Sequence, residues 1–156
     1  MGKNYKKHLV GTAGELAVAN KLCLHGWVPS LTSNNCPSFD VFGYDPETDK
    51  SCIIQVKTTK DEKGYKKSSF PLGFTHNKRA GWIDNLSCPY VFVHIDLDNT
   101  HRFYIMSCLQ LIDIVVKTDN EYANRQREKS LNQSYPVAIH LKDIKEFEDK
   151  WENLWT

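Results

Sequence analysis

The sequence predicts an α/β fold in which helices cover a mixed central sheet. Helix-like and strand-like segments follow one another in the order helix, three strands, helix, strands, helix. The strand candidates are short apolar runs bounded by Gly, Pro, Asn and Asp. The chain has 156 residues, 40% hydrophobic and 25% charged, an ordinary globular composition with mass enough for a buried core. No repeat or linker divides it, so one domain is expected over residues 1–156.

A first helix is expected over Thr12–His25. Thr12 and Glu15 have capping-box spacing, and Gly26 stands as a stop. Trp27–Leu31 reads as a short strand, and Asn34, Asn35 and Pro37 mark a turn. Phe39–Tyr44 and Ser51–Thr59 read as strands joined into a hairpin through Asp45–Asp49. Residues 60–79 are basic and aromatic with Gly64, Pro71 and Gly73, which suits a long loop or ragged hairpin. A short helix is expected over Asn77–Leu86, then strands at Tyr90–Asp96 and Arg102–Met106 about a turn at Asn99. Ser107 can cap a helix through Cys108–Val116. Residues 117–134 show no packing stripe and read as a mobile excursion. Val137–His140 is a last strand. Asp143 opens a closing helix with Ile144, Phe147, Trp151, Leu154 and Trp155 at three-four spacing.

Several function classes drop out. Apolar stretches such as Tyr90–Ile95 are far too short to cross a bilayer. The basic start Met1–His8 is not followed by the apolar run of a signal peptide. Five cysteines, an odd number without CxxC spacing, point to a reduced, cytoplasmic protein with structural thiols. No zinc-type Cys/His cluster, phosphate-binding glycine loop or nucleophile elbow is present.

The residues that point to chemistry are Glu15, Asp40, Gln55 and Lys57. Gln55 and Lys57, two apart on a strand, share a face. A hairpin can bring Asp40 beside them. A carboxylate, an amide oxygen and the Val56 main-chain carbonyl are oxygen donors of the kind Mg²⁺ takes. A lysine beside them can orient the attacking water or stabilise charge on a phosphoryl transition state. Glu15 shares a helix face with Val18, Ala19 and Leu22, and an inward carboxylate needs a partner. A metal would be one partner; the helix-end N–H of the capping box would be another.

These residues resemble a known family. Gly11-Thr-Ala-Gly14-Glu15, Ser38-Phe39-Asp40 and Ile54-Gln55-Val56-Lys57 are similar to the motifs of the PD-(D/E)xK nucleases, with a restriction-endonuclease-like αβββαβ core. The resemblance implies Asp40 as metal ligand, Gln55 in the second acidic position, Lys57 as catalytic lysine and Glu15 as the helix-borne acid. Mg²⁺ is the implied ion, with Mn²⁺ as substitute. Ser38-Phe39 replaces the proline that names the motif, and Gln55 stands where Glu or Asp is usual, which removes one negative charge. The expected activity is a metal-dependent endonuclease acting on DNA. It would work as a homodimer or higher oligomer if it cuts both strands. The alternative is a nuclease-like module that binds without cutting.

Net charge is only +1, yet residues 1–90 carry 12 basic and 8 acidic side chains and residues 91–156 carry 8 and 11. Residues 50–79 hold 8 basic and 2 acidic side chains. Thr59, Lys60, Lys63, Lys66, Lys67, Lys78 and Arg79 follow Lys57 there and are the candidate nucleic-acid contacts, through counterion release. Tyr65, Phe70 and Phe74 are interleaved and could stack on bases.

Overall fold

The computed structural model describes residues 3–32, 38–127 and 135–155. The turn expected at Asn34, Asn35 and Pro37, and Cys36, lie outside the described residues. Helices are α1 (Lys3–Leu24), α2 (Arg79–Asp84) and α3 (Cys108–Arg127). Strands are β1 (Val28–Leu31), β2 (Val41–Asp45), β3 (Lys50–Lys60), β4 (Ser69–Thr75), β5 (Tyr90–Ile95), β6 (His101–Met106) and β7 (Pro136–His140).

A five-stranded sheet has the order β1-β2-β3-β5-β6, and β4 pairs with β7 in a separate two-stranded ribbon. β3 and β5 run parallel, while the other neighbours in the large sheet are antiparallel. The sheet is therefore mixed, and the expected helix, three strands, helix, strand core is present as α1, β1, β2, β3, α2 and β5. A parallel pair needs a long crossover. Residues 61–89 supply it, and they carry β4 and α2.

Both faces of the sheet are covered. Val18 and Leu22 of α1 pack with Ile54, Val56, Val91, Val93 and Ile105, and Trp151 and Leu154 join that core. On the other face Phe92, Tyr104 and Met106 meet Phe70, Leu111, Val115 and Ile139. Every residue of β5 is buried, which is why it reads as an apolar run. No helix among the described residues is long and apolar enough to cross a membrane.

Four expectations change. α1 starts at Lys3, so Thr12 is mid-helix and forms no capping box with Glu15. The stretch 60–79 is not all loop: Ser69–Thr75 is a strand, paired with β7. α3 runs to Arg127, through the first half of the expected excursion. Its buried stripe continues Leu111, Val115, Asp119, and the charge in third place hides it from an apolar pattern. The closing helix is three 3₁₀ turns, Leu141–Asp143, Lys145–Phe147 and Trp151–Trp155. Extended Glu148 and left-handed Asp149 (φ 53°) break it. Its apolar spacing still marks Ile144, Trp151 and Leu154 as buried.

Candidate active site

Strand register assembles the site. Val41 faces Ile54 across the β2–β3 pair, and Asp40 is the residue just before this paired stretch. The Asp40 N–H donates to the Ile54 carbonyl at 2.9 Å, and Thr32 holds the Asp40 carbonyl from the other side through its N–H at 3.0 Å. Gln55 and Lys57, two apart on β3, project from one face, and Asp40 meets Gln55 through their side chains.

The Asp40 carboxylate is tied down through one oxygen. Oδ2 accepts the Val56 N–H at 2.7 Å and the side-chain amide of Gln55. β2 begins only at Val41, so the Asp40 side chain takes the place of a main-chain partner for Val56. The N–H and carbonyl of one strand residue leave on the same edge, so the Val56 carbonyl is directed to this edge too.

Glu15 comes from the opposite layer. Gly14 makes this approach close: a Cβ there would meet Cβ and Cγ2 of Thr58 at 2.9 Å. The helix therefore lies flat on β3, and Glu15 reaches the edge where Asp40 stands. Burial raises the Glu15 carboxyl above its ordinary range, and the Asp40 charge raises it further. Asp40 is raised as well, by burial, against the lowering effects of the Val56 N–H and the Lys57 ammonium. The geometry thus brings together Glu15, Asp40, Gln55, Val56 and Lys57. Two half-buried carboxyl groups with a single lysine are short of positive charge. Cys88 walls the site, its thiol near the Ser38 carbonyl and pushed by burial up to about 11.

The basic residues beyond Lys57 have different fates. Thr59 is buried. Lys60 Nζ donates to Asn99 Oδ1 at 2.5 Å. Lys63 and Lys66 stand exposed on a turn, and Lys78 is exposed further on. Lys67 pairs with Glu62 at 2.7 Å. Arg79 points inward, donating to the fully buried Asp119 carboxylate at 2.7 Å and to Asn120 Oδ1 at 2.8 Å. His76 meets the same Asp119 oxygen at 2.7 Å.

One cluster escaped sequence reading. Asp61, His94 and Asp96 place a carboxylate or ring nitrogen each within 4.8 Å of one another. Arg102 donates to His94 Nδ1 at 2.9 Å and to Asp96 at 3.0 Å. Since arginine only donates, His94 accepts at Nδ1 and its Nε2–H donates to Asp61 at 3.0 Å. The guanidinium already serves this group as its cation. Asp61 and His94 are 33 residues apart and meet only through the β3–β5 register. No local signal could have paired them.

No family model matches the chain, and no curated protein matches it. Among solved structures it is similar to Hjc, a Holliday junction resolvase from the archaeal hyperthermophile Archaeoglobus fulgidus. The match has 10% identity and a TM-score of 0.40, over 83% of this chain and 90% of that one.

Proposed function

We propose that this chain is a divalent-metal-dependent endonuclease of PD-(D/E)xK type that hydrolyses phosphodiester bonds in DNA. The supporting observation is the side-chain bond between Gln55 and Asp40, with Lys57 and Glu15 close enough for their ammonium and carboxyl charges to couple with Asp40. Two desolvated carboxyl groups with one lysine favour a cation between them. Hard oxygen donors suit Mg²⁺, with Mn²⁺ as substitute. Asp40, Glu15, the Gln55 amide oxygen and the Val56 carbonyl would hold it. Such an ion supplies a Lewis acid and an acidified water. Gln55 and the Val56 N–H hold the Asp40 carboxylate through Oδ2, and Oδ1 would bind the ion. Lys57 stabilises charge on the phosphoryl oxygens. The exposed lysines hold the DNA backbone, and a symmetric dimer would place one site on each strand.

A second reading has its own support. The Gln55 amide donates to Asp40, a bond that satisfies the carboxylate without a cation. That arrangement suits a module that binds nucleic acid without cutting. Cleavage of supercoiled, branched and single-stranded DNA with Mg²⁺ or Mn²⁺ separates the two. Wild type should cut, while Asp40→Ala and Lys57→Ala should bind but not cut. A wild-type chain that binds every substrate and cuts none establishes the second reading. Normal cutting by Asp40→Ala overturns the site.

A further inference from the structure

Beyond Lys60 the chain leaves the sheet and makes a tight turn. Glu62 and Tyr65 exchange main-chain hydrogen bonds at 2.9 and 2.8 Å around Lys63 and Gly64. Gly64 has φ +81°, a conformation that strains any residue with a Cβ. Residues 62–66 are all exposed, and Tyr65 is 65% exposed, unusual for a large aromatic with a packed core beneath it.

Both legs of the turn are fixed to that core. The Asp61 N–H donates to the Ile95 carbonyl at 2.9 Å, and the buried Asp61 carboxylate accepts the Lys67 N–H at 2.8 Å as well as the His94 ring N–H. Lys67 Nζ reaches back to Glu62. The Asp61–His94–Arg102 cluster, outside the proposed active site, thus acts as the footing of the turn. An aromatic ring on a fixed support loses little freedom when something stacks on it.

The surroundings are basic. Lys63 and Lys66 flank Tyr65, and neither makes an ion pair among the described residues. Lys6 of α1 lies close enough to help Lys67 hold the Glu62 carboxyl below its ordinary range. α1 runs antiparallel to β3, with Gly14 on Thr58, so eight residues of helix (~12 Å) span about what four residues of strand do (~13 Å). The basic start of the helix and the turn therefore occupy the same end of the molecule. That end lies ~13 Å along β3 from Lys57.

We infer that the Glu62–Tyr65 turn is a contact for unpaired nucleobases, with Tyr65 as the stacking platform and Lys63 and Lys66 on the adjoining phosphates. This deepens the nucleic-acid reading above and rests on it. Residues 62–66 include no Arg, Asn or Gln, whose planar groups make paired hydrogen bonds to a base edge in a groove. One ring with flanking lysines matches single-strand binding, in which every base offers a π-face. The favoured substrate is therefore single-stranded DNA, or a strand opened beside a duplex.

The test is fluorescence anisotropy with labelled oligonucleotides, single-stranded and duplex, in EDTA, so that binding is read without cleavage. Tyr65→Ala should weaken single-strand binding by about 5- to 100-fold. Tyr65→Trp should retain it, and duplex binding should change little in either variant. Lys66→Ala should weaken both and lower the salt slope by about one unit or less. Wild-type single-strand affinity in Tyr65→Ala, or equal losses on both substrates with an unchanged melting temperature, overturns the inference alone. A wild-type chain that binds neither oligonucleotide overturns the nucleic-acid reading with it. Binding without cleavage in the Mg²⁺ assay overturns only the enzyme.

Discussion

Gly14 of α1 rests on Thr58 of β3 with no room for a Cβ between them. This contact sets the height of the helix above the sheet, and the next residue is Glu15. Gly14→Ala must lift the helix or displace a β-branched side chain that has few rotamers to use. It should cost about 1–3 kcal/mol in urea unfolding. The proposed nuclease activity should fall further than stability explains, because Glu15 moves with the helix. Adding Thr58→Ala should recover part of the loss.

Thr58 offers a second measurement. Its hydroxyl is buried without a hydrogen-bond partner among the described residues. Thr58→Val keeps the shape and removes the unsatisfied group. The variant should be as stable as wild type or more stable, by up to about 1 kcal/mol. A loss on that scale would mean that the hydroxyl has a bonded partner.

The carboxyl groups of the site predict how stability follows pH. Asp40 and Glu15 both stand above their ordinary ranges of 3.8 and 4.5. Between the ordinary and the raised value the folded chain binds more protons than the unfolded chain. Stability therefore falls as pH rises through that interval and stays lower above it. Asp40→Asn removes its share of this penalty. Without metal, it should melt higher than wild type at neutral pH, and the two should converge below about pH 4. Mg²⁺ should raise the melting temperature of wild type but not of Asp40→Asn.

Gln55→Glu restores a third carboxylate. The extra negative charge should lower the Mg²⁺ concentration for half-maximal cleavage on the order of tenfold. It should also destabilise the metal-free chain, since the new carboxylate would face Asp40 across the strands and repel it. Isothermal titration with Mg²⁺ and metal-free melting measure the two effects separately.

Arg79 and Lys78 are neighbours with opposite duties. Arg79 neutralises the fully buried Asp119 carboxylate, whereas Lys78 is exposed. Arg79→Ala leaves a buried carboxylate without its guanidinium, beside only His76 and the Tyr135 hydroxyl among the described residues, and should cost about 3 kcal/mol. Lys78→Ala should change stability by no more than about 0.5 kcal/mol. Unfolding curves for the pair decide whether Arg79 is a supporting residue rather than a surface contact.

The part of the site on β2 and β3 was legible because strand geometry has period two. Gln55 and Lys57 could be put on one face from spacing alone, and the hairpin that was expected to bring Asp40 beside them leaves its carboxylate bonded to Gln55. Glu15 was legible through its apolar neighbours, but the start of its helix was not. Thr12 and Glu15 have the spacing of a helix start, whereas the helix begins at Lys3 and runs through both. Arg79 ends a basic run and reads as a surface contact. Its partner Asp119 lies 40 residues away, so the ion pair has no local signature. The end of α3 and the footing of the Tyr65 turn stayed hidden for the same reason: tertiary contacts make them, and pattern does not record those.

β3 changes neighbours along its length. Its first half, to Ile54, pairs with β2, and its second half, from Gln55, pairs with β5. From Val56 onward its β2-side edge has no strand partner among the described residues, and Asp40 closes only the first step of it. Exposed strand edges invite other chains to add on and aggregate. This one is short, flanked by the α1 contact at Thr58, and bordered by charged side chains at Asp40 and Lys57. A polypeptide is poorly matched to it, while ions, water and phosphate oxygens are not. The fold thereby limits strand addition at the gap in its sheet where Asp40 and Lys57 stand.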